Sequence, residues 1–278
     1  MTHIEIPKFV KWAGGKTQLI AQFKPLFPKI FNHYFEPFVG GGAVFFYVMQ
    51  QFKPQKIMIS DINAELINTY KIIRDDHEPL IQALKQHQHH HQAKGKAYYL
   101  TIRALHPHEL SPLERAARMI YLNKTCFNGL YRVNAKGQFN VPMGAYKNPD
   151  IVQEAKLNCI AQLLQSVTIK ELSFEHVVEL AKKDDFIYFD PPYYPLEKGK
   201  SFTAYTQNVF LEAQQQNLVS VFKQLDKKGC LVMLSNSDTQ FIKDLYSDYH
   251  IHWVRASRMI NCNANKRGKI NELVITNY

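Results

Sequence analysis

The chain has 278 residues, 46% of them hydrophobic, and a formal charge of +10 from 34 Lys+Arg against 24 Asp+Glu. That length supports one sizeable core with room for a smaller lobe, and no apolar run reaches the roughly 18 to 20 residues of a membrane helix. Met1 to Phe9 mix His, Glu and Lys with apolar residues, unlike a signal peptide, so a soluble, cytoplasmic protein is expected, and the basic balance points to a polyanionic partner.

The first segment with distinctive chemistry is Lys11-Trp12-Ala13-Gly14-Gly15-Lys16, an aromatic ring, two glycines and two ammonium groups ahead of a helix. Gly15-Lys16-Thr17 does not end a phosphate-binding loop, because that motif needs a glycine where Val10 stands. Tyr34 to Val39 reads as a strand, and Phe38-Val39-Gly40-Gly41-Gly42-Ala43 as its turn into a helix. Glycines there let backbone approach a ligand closely, and a helix N-terminus favours a carboxylate. The next strand, Lys56 to Ser60, ends at Asp61, where an acid either bonds ribose hydroxyls or caps the following helix.

From Asn68 to Pro149 the pattern changes. Leu113 to Leu122 reads as a helix, and Asn123 to Met143 as a polar, Gly-punctuated stretch in which Asn134-Ala135-Lys136-Gly137 turns a small hairpin between Tyr131-Arg132-Val133 and Gln138-Phe139-Asn140-Val141. Pro112 to Lys147 holds six basic residues and one acidic, and His250 to Asn271 five basic and none acidic. His87, His89, His90 and His91 have no Cys or carboxylate at ligand spacing, so a solvated helix end or loop is expected there and no metal site. The four cysteines, Cys126, Cys159, Cys230 and Cys262, form no CxxC pair and are expected to be reduced and structural.

Further strand runs follow at Val167 to Leu172, Phe186 to Asp190, Cys230 to Ser235, His250 to Ala256 and Glu272 to Thr276. Strands alternating with helices predict an open, mostly parallel α/β sheet, residues 1–67 and 150–278, split by an inserted, mostly helical block, 68–149. In such sheets ligands bind beyond the carboxyl ends of the strands. Asp190-Pro191-Pro192-Tyr193 stands at such an end, and two prolines there force the backbone out of the ladder in a rigid extended turn. A carboxylate and a neighbouring carbonyl, each accepting one N–H, would draw a planar exocyclic amine toward a tetrahedral shape and meet the positive charge that develops on methylation. Asp190 and the Pro191 carbonyl suit that task, with Tyr193 stacking on the base. The weaker alternative is a Pro-Pro strand stop with an exposed Asp.

These segments, with Glu36-Pro37-Phe38, Asp61-Ile62-Asn63, Leu122-Asn123-Lys124, Asn128-Gly129-Leu130-Tyr131-Arg132, Phe139-Asn140-Val141-Pro142 and Phe202-Thr203-Ala204-Tyr205, resemble in content and order the DNA adenine methyltransferase family, whose bacterial and phage members act on GATC. The resemblance extends from Lys8 nearly to the C-terminus. It implies a Rossmann-like methyltransferase sheet, S-adenosylmethionine as methyl donor without a metal, and double-stranded DNA as substrate. By resemblance, Trp12, Lys16, Phe38, Gly40, Asp61 and Asp190 form the cofactor site. The insertion becomes the recognition domain, with Arg132 reading a guanine, Leu130 and Pro142 at neighbouring bases, Phe127 as a wedge in the duplex, Lys11 at the outer guanine, and Asn128 and Tyr146 among the DNA contacts. Gly144-Ala145-Tyr146 lacks an arginine that enteric relatives carry there. A companion restriction endonuclease would act on the same site without direct contact. The rival readings are methylation of another planar amine or amide, and a DNA-binding module without catalysis.

Overall fold

The computed structural model describes residues 6–196, 210–257 and 269–278. Seven strands form one sheet: β1 (His33–Pro37), β2 (Lys56–Asp61), β3 (Val167–Glu171), β4 (Phe186–Phe189), β5 (Leu231–Ser237), β6 (His250–Ser257) and β7 (Lys269–Thr276), in the order β3-β2-β1-β4-β5-β7-β6. All seven runs expected from sequence are strands, with ends displaced by at most three residues. The five from β3 to β5 pair in parallel, while β7 lies antiparallel between β5 and β6. Every residue of β4 is buried, as a central strand covered on both faces requires. Its side chains alternate between two cores, Phe186 and Tyr188 in one, Ile187 and Phe189 in the other, which is the period-two signature of a strand between two helical layers.

Between β1 and β4 the winding direction of the sheet reverses. β1 leads through α2 (Ala43–Phe52) to β2 on one side and pairs with β4 on the other, so the carboxyl ends of β1 and β4 open side by side into the crevice where ligands bind such sheets. After β2 the Asn63 side chain accepts from the Leu66 amide and caps α3 (Ala64–Asp75), a contribution of about 1 kcal/mol. The helix cap is therefore Asn63, and the capping role weighed for Asp61 is corrected.

The inserted block is mostly helical: α4 (His77–Lys94), α5 (Lys96–Ala104) and α6 (Pro112–Thr125). α6 starts at Ser111, which forms a reciprocal capping box with Glu114 and has Pro112 at the first helical position, so it begins one residue before the predicted helix and ends three beyond it. The hairpin is present in reduced form: Val133 and Phe139 make an isolated bridge, and the turn closes through Gly137 N to Asn134 O at 2.9 Å.

Three expectations need correction. The His tract lies on α4 and is no solvated end: His91 is buried with Nδ1 2.8 Å from the Tyr121 hydroxyl, and His87 stacks on Tyr121 at 4.9 Å, leaving only His89 and His90 exposed. Half of the basic stretch 112–147 faces inward, because Arg115 pairs with Glu65, buried Arg118 donates to the Ile102 and Arg103 carbonyls, and buried Lys124 donates to Gln153. Cys126 and Cys230 are free and buried, but Cys159 is free and exposed; Cys262 lies outside the described residues.

Candidate active site

The site is assembled from three loops at the β1–β4 switch point. β1 is followed at once by Phe38, which holds a left-handed φ of 70°. Its ring stacks on Phe174 at 5.2 Å and meets Phe210 edge-on at 5.6 Å, packing that holds a backbone conformation costing about 1 to 3 kcal/mol in a non-glycine residue. Gly42 follows at φ 71° as the residue before α2, where a Cβ would lie 2.6 Å from the Tyr70 hydroxyl. Nothing larger than glycine fits there. Tyr70 in turn donates to the Gly40 carbonyl at 3.0 Å.

Asp61, at the end of β2, accepts the Gly40 amide on Oδ2 (3.2 Å) and the Asn63 amide on Oδ1 (3.0 Å). Burial raises its pKa, and these backbone N–H groups oppose the rise. The carboxylate thus ties the glycine turn to the next loop, and each oxygen keeps a further lone pair for a hydroxyl. Trp12 lies over the same turn, so close that a Cβ on Gly40 would be 2.8 Å from its indole ring.

Lys16 is the meeting point. It is 4% exposed, donates to the Gly14 carbonyl, and forms an ion pair with Asp190 Oδ1 at 2.8 Å. Its ammonium also sits 4.8 Å from the Tyr193 ring centroid. Burial pushes Asp190 up to about 6, against the pull of Lys16, and the Glu272 carboxylate adds to the rise. The Pro-Pro turn is pinned by buried amides: Gln215 Nε2 donates to the Pro192 carbonyl (3.1 Å), Asn236 Nδ2 to Gln215 Oε1 (3.0 Å), and the Tyr194 amide to Asn236 Oδ1 (3.2 Å). Such a satisfied polar network fixes one backbone path.

The expected DNA-contact residues gather beside this crevice. Lys11 Nζ reaches the Tyr146 hydroxyl at 3.1 Å and lies 4.2 Å from that ring's centroid. The Phe127 amide donates to the Pro142 carbonyl, and Phe127 itself is 46% exposed. Asn128 and Pro142 are exposed, Leu130 half-buried. Arg132 Nε donates to Asn140 Oδ1 at 2.6 Å, so the guanidinium is oriented by its hairpin partner. Phe202–Tyr205 lies outside the described residues.

Besides the Arg115–Glu65 and Lys11–Tyr146 contacts, a ring stack and a set of amide bonds join the sheet part to the insertion. Trp12 stacks on Tyr131 at 5.7 Å, and buried Asn123 accepts the Lys11 amide (2.7 Å) while its own amide donates to the Lys11 and Gly129 carbonyls (both 2.8 Å). Sequence reasoning assigned Asn123 no role, and passed over Glu36, Tyr70, Gln215, Asn236 and Glu272. Glu36 carried a usable signal, an acid inside an apolar strand: it is 2% exposed, bonded by the Tyr34 hydroxyl, and held by burial well above the usual carboxylate range. For Gln215 and Tyr70 the sequence offered only helix periodicity.

The donor set fits S-adenosylmethionine: a cation at Lys16 and the α2 N-terminus for its carboxylate, Asp61 for its hydroxyls, aromatic rings at Trp12 and Phe38 for its base. Among the described residues no group of three or more His, Cys, Asp or Glu could hold a metal ion.

A family profile described as D12 class N6 adenine-specific DNA methyltransferase matches residues 12–260. A type II methyltransferase of Lactococcus lactis subsp. cremoris is 46% identical over 281 residues, 99% of this chain and 96% of that protein. One of Methanocaldococcus jannaschii is 44% identical over 289 residues, 99% and 100% of the two chains. A DNA adenine methylase of Haemophilus influenzae is 38% identical over 267 residues, 96% of this chain and 92% of its own.

Proposed function

The chain belongs to the D12 class of N6 adenine-specific DNA methyltransferases, and from that premise we propose that it methylates an adenine flipped out of the duplex, within GATC, with Asp190, Pro191 and Tyr193 as its reaction centre. The observation that carries this reading is the ion pair of buried Lys16 with half-buried Asp190 at the mouth of the β1–β4 crevice, with the Lys16 ammonium against the Tyr193 ring. When bound, S-adenosylmethionine supplies an electrophilic methyl group on a sulfonium; Trp12, Lys16, Phe38, Gly40 and Asp61 would hold it.

The chain's own residues shape the nucleophile. Asp190 and the Pro191 carbonyl accept the two N6 hydrogens, which localises the nitrogen lone pair and aims it. Lys16 favours the ionised form of Asp190, the form that only accepts. As the N–C bond forms, N6 becomes cationic and sheds one proton along its bond to Asp190, whose side chain is 20% exposed and passes the proton to water. Flipping costs a few kcal/mol of unstacking. The inserted block 68–149, together with Lys11 from the sheet part, offsets this with DNA contacts: Arg132 on a guanine, Lys11 at the outer guanine, Leu130 and Pro142 at base edges, Asn128 and Tyr146 beside them, and Phe127 as wedge. A companion restriction endonuclease cutting the same unmethylated site belongs to this reading.

The test is digestion of plasmid DNA from cells expressing the chain, using one nuclease that requires N6-methyladenine at GATC and one that it blocks. Sensitivity to the first and resistance to the second are expected. The reverse pattern rejects GATC, and DNA free of N6-methyladenine rejects the activity.

A further inference from the structure

Tyr193 closes the DPPY turn, but a second element grips the far end of its ring: the hydroxyl donates to Glu272 Oε2 at 2.8 Å. Glu272 belongs to β7, where the ladder fixes it on both sides, opposite Ser237 of β5 and Val254 of β6. Its successors Leu273, Val274 and Ile275 are fully buried. A carboxylate at the head of such a run adds nothing to sheet packing, since acids are depleted in strands and burial disfavours charge. The contact it makes is therefore the clue to its presence. Burial and the nearby Asp190 and Glu272 charges hold the Tyr193 phenol well above its ordinary value, so it stays a donor to an anionic acceptor, the stronger kind of hydrogen bond.

We infer that Glu272 is a positioning residue for methyl transfer: by holding the Tyr193 hydroxyl it fixes the far end, and so the position over the site, of the ring on which the target adenine stacks. The inference rests on the reading of Tyr193 as the stacking platform. A tyrosine anchored only through its Cβ can swing its whole ring about χ1, which carries the para oxygen sideways, whereas one tethered at that oxygen cannot. The amine attacks along a narrow line, and a misplacement of about 1 Å costs on the order of 100-fold in rate.

The experiment compares Glu272→Ala, Glu272→Gln, Tyr193→Phe and the Ala/Phe double variant of the full chain, on a duplex containing GATC. Glu272→Ala should lower kcat/KM for DNA by about 10- to 100-fold, with S-adenosylmethionine affinity by calorimetry unchanged within about threefold. Glu272→Gln keeps an acceptor oxygen and should recover activity to within about fivefold of wild type. Tyr193→Phe should match the Ala loss, and the double variant should be no worse than either single one, because both delete the same bond. Losses that multiply, a Gln variant as poor as Ala, or an Ala variant within twofold of wild type each overturn the inference. Should Glu272→Ala fail to fold, Tyr193→Phe removes one oxygen and carries the same prediction; activity within twofold of wild type then counts against it. Wild-type protein inactive on every adenine-containing duplex would instead sink the functional reading itself.

Discussion

Asp61 and Asp190 stand at the ends of strands that are paired on both sides, whereas Phe127 and Arg132 stand on a stretch, 126–146, whose only ladder contacts among the described residues are the isolated bridges Cys126–Met143 and Val133–Phe139. The sheet strands are fixed by repeated backbone bonds; the 126–146 stretch is fixed by single bonds from elsewhere, such as the Tyr99 hydroxyl to the Val141 carbonyl at 2.9 Å and Gly144 N to the Thr125 carbonyl at 2.8 Å. The difference suits the two tasks. Chemistry on an amine fails when the acceptors move by about 1 Å, while a surface that reads a deformable duplex gains from local adjustability.

The largest effect expected from disturbing either half is that of Asp190→Ala. It should leave a folded chain that binds DNA and should lower methyl transfer by about a thousandfold or more, since it removes a group aimed at developing charge. Single-turnover methylation within about tenfold of wild type would take Asp190 out of the chemistry.

Next comes pH. Asp190 carries the negative charge that meets the developing cation, and can take up the departing proton, only when ionised; its pKa is raised to about 6 chiefly by burial, with Lys16 pulling it down. As pH falls through that value, kcat/KM should drop by about tenfold per unit, from a plateau above it. Lys16→Gln removes the lowering charge, so its acid limb should move to higher pH. An acid limb that stays in place in this variant would show that another group titrates.

Smaller still is Arg132→Ala. Loss of a bidentate guanine contact should cost about 1 to 3 kcal/mol at one base pair and relax discrimination there. Methylation rates on GATC and on each singly substituted site, across a salt series, decide the matter: uniform weakening with unchanged preference would make Arg132 a backbone anchor whose loss reduces the salt slope by about one. The smallest effect should come from chelation. Excess EDTA is expected to leave turnover unchanged, because methyl transfer from a sulfonium needs no Lewis acid, and restoration by added Mg²⁺ or Zn²⁺ after loss would contradict that.

Legibility from sequence followed the same division. The seven strands were readable because β-branched and aromatic runs bounded by turns depend on nearest neighbours alone, and the Gly40–Gly42 and Asp190–Tyr193 turns because their backbone demands are local. The resemblance places Lys16 and Asp190 in one site, but their direct ion pair was not readable from the residues, since the two lie far apart along the chain and only the sheet order brings them together. For the same reason the basic stretch misled: charge counted along a helix does not tell which side chains, such as Arg118, turn inward to bond carbonyls. The His tract failed likewise, because stacking on Tyr121 is a tertiary event.

Asn123 has a consequence for exchange of parts among relatives. Its side chain copies the donor-acceptor pattern of a peptide group, and with it Lys11 and Gly129 are held together although Lys11 lies 112 residues before Asn123 in the chain. A Cβ on Gly129 would come within 2.5 Å of the Lys11 Cβ, so the Lys11 side chain packs directly on the glycine backbone. The proposed reader and the candidate reaction site are therefore joined along a seam of direct bonds. Transplanting a foreign segment between residues 126 and 146 to redirect the enzyme to another site would keep its register only if the graft carried a glycine at 129 and left Asn123 and the 11–16 loop in place. On the proposed reading, the exposed side chains at 127 and 128 are the ones open to change without disturbing that seam.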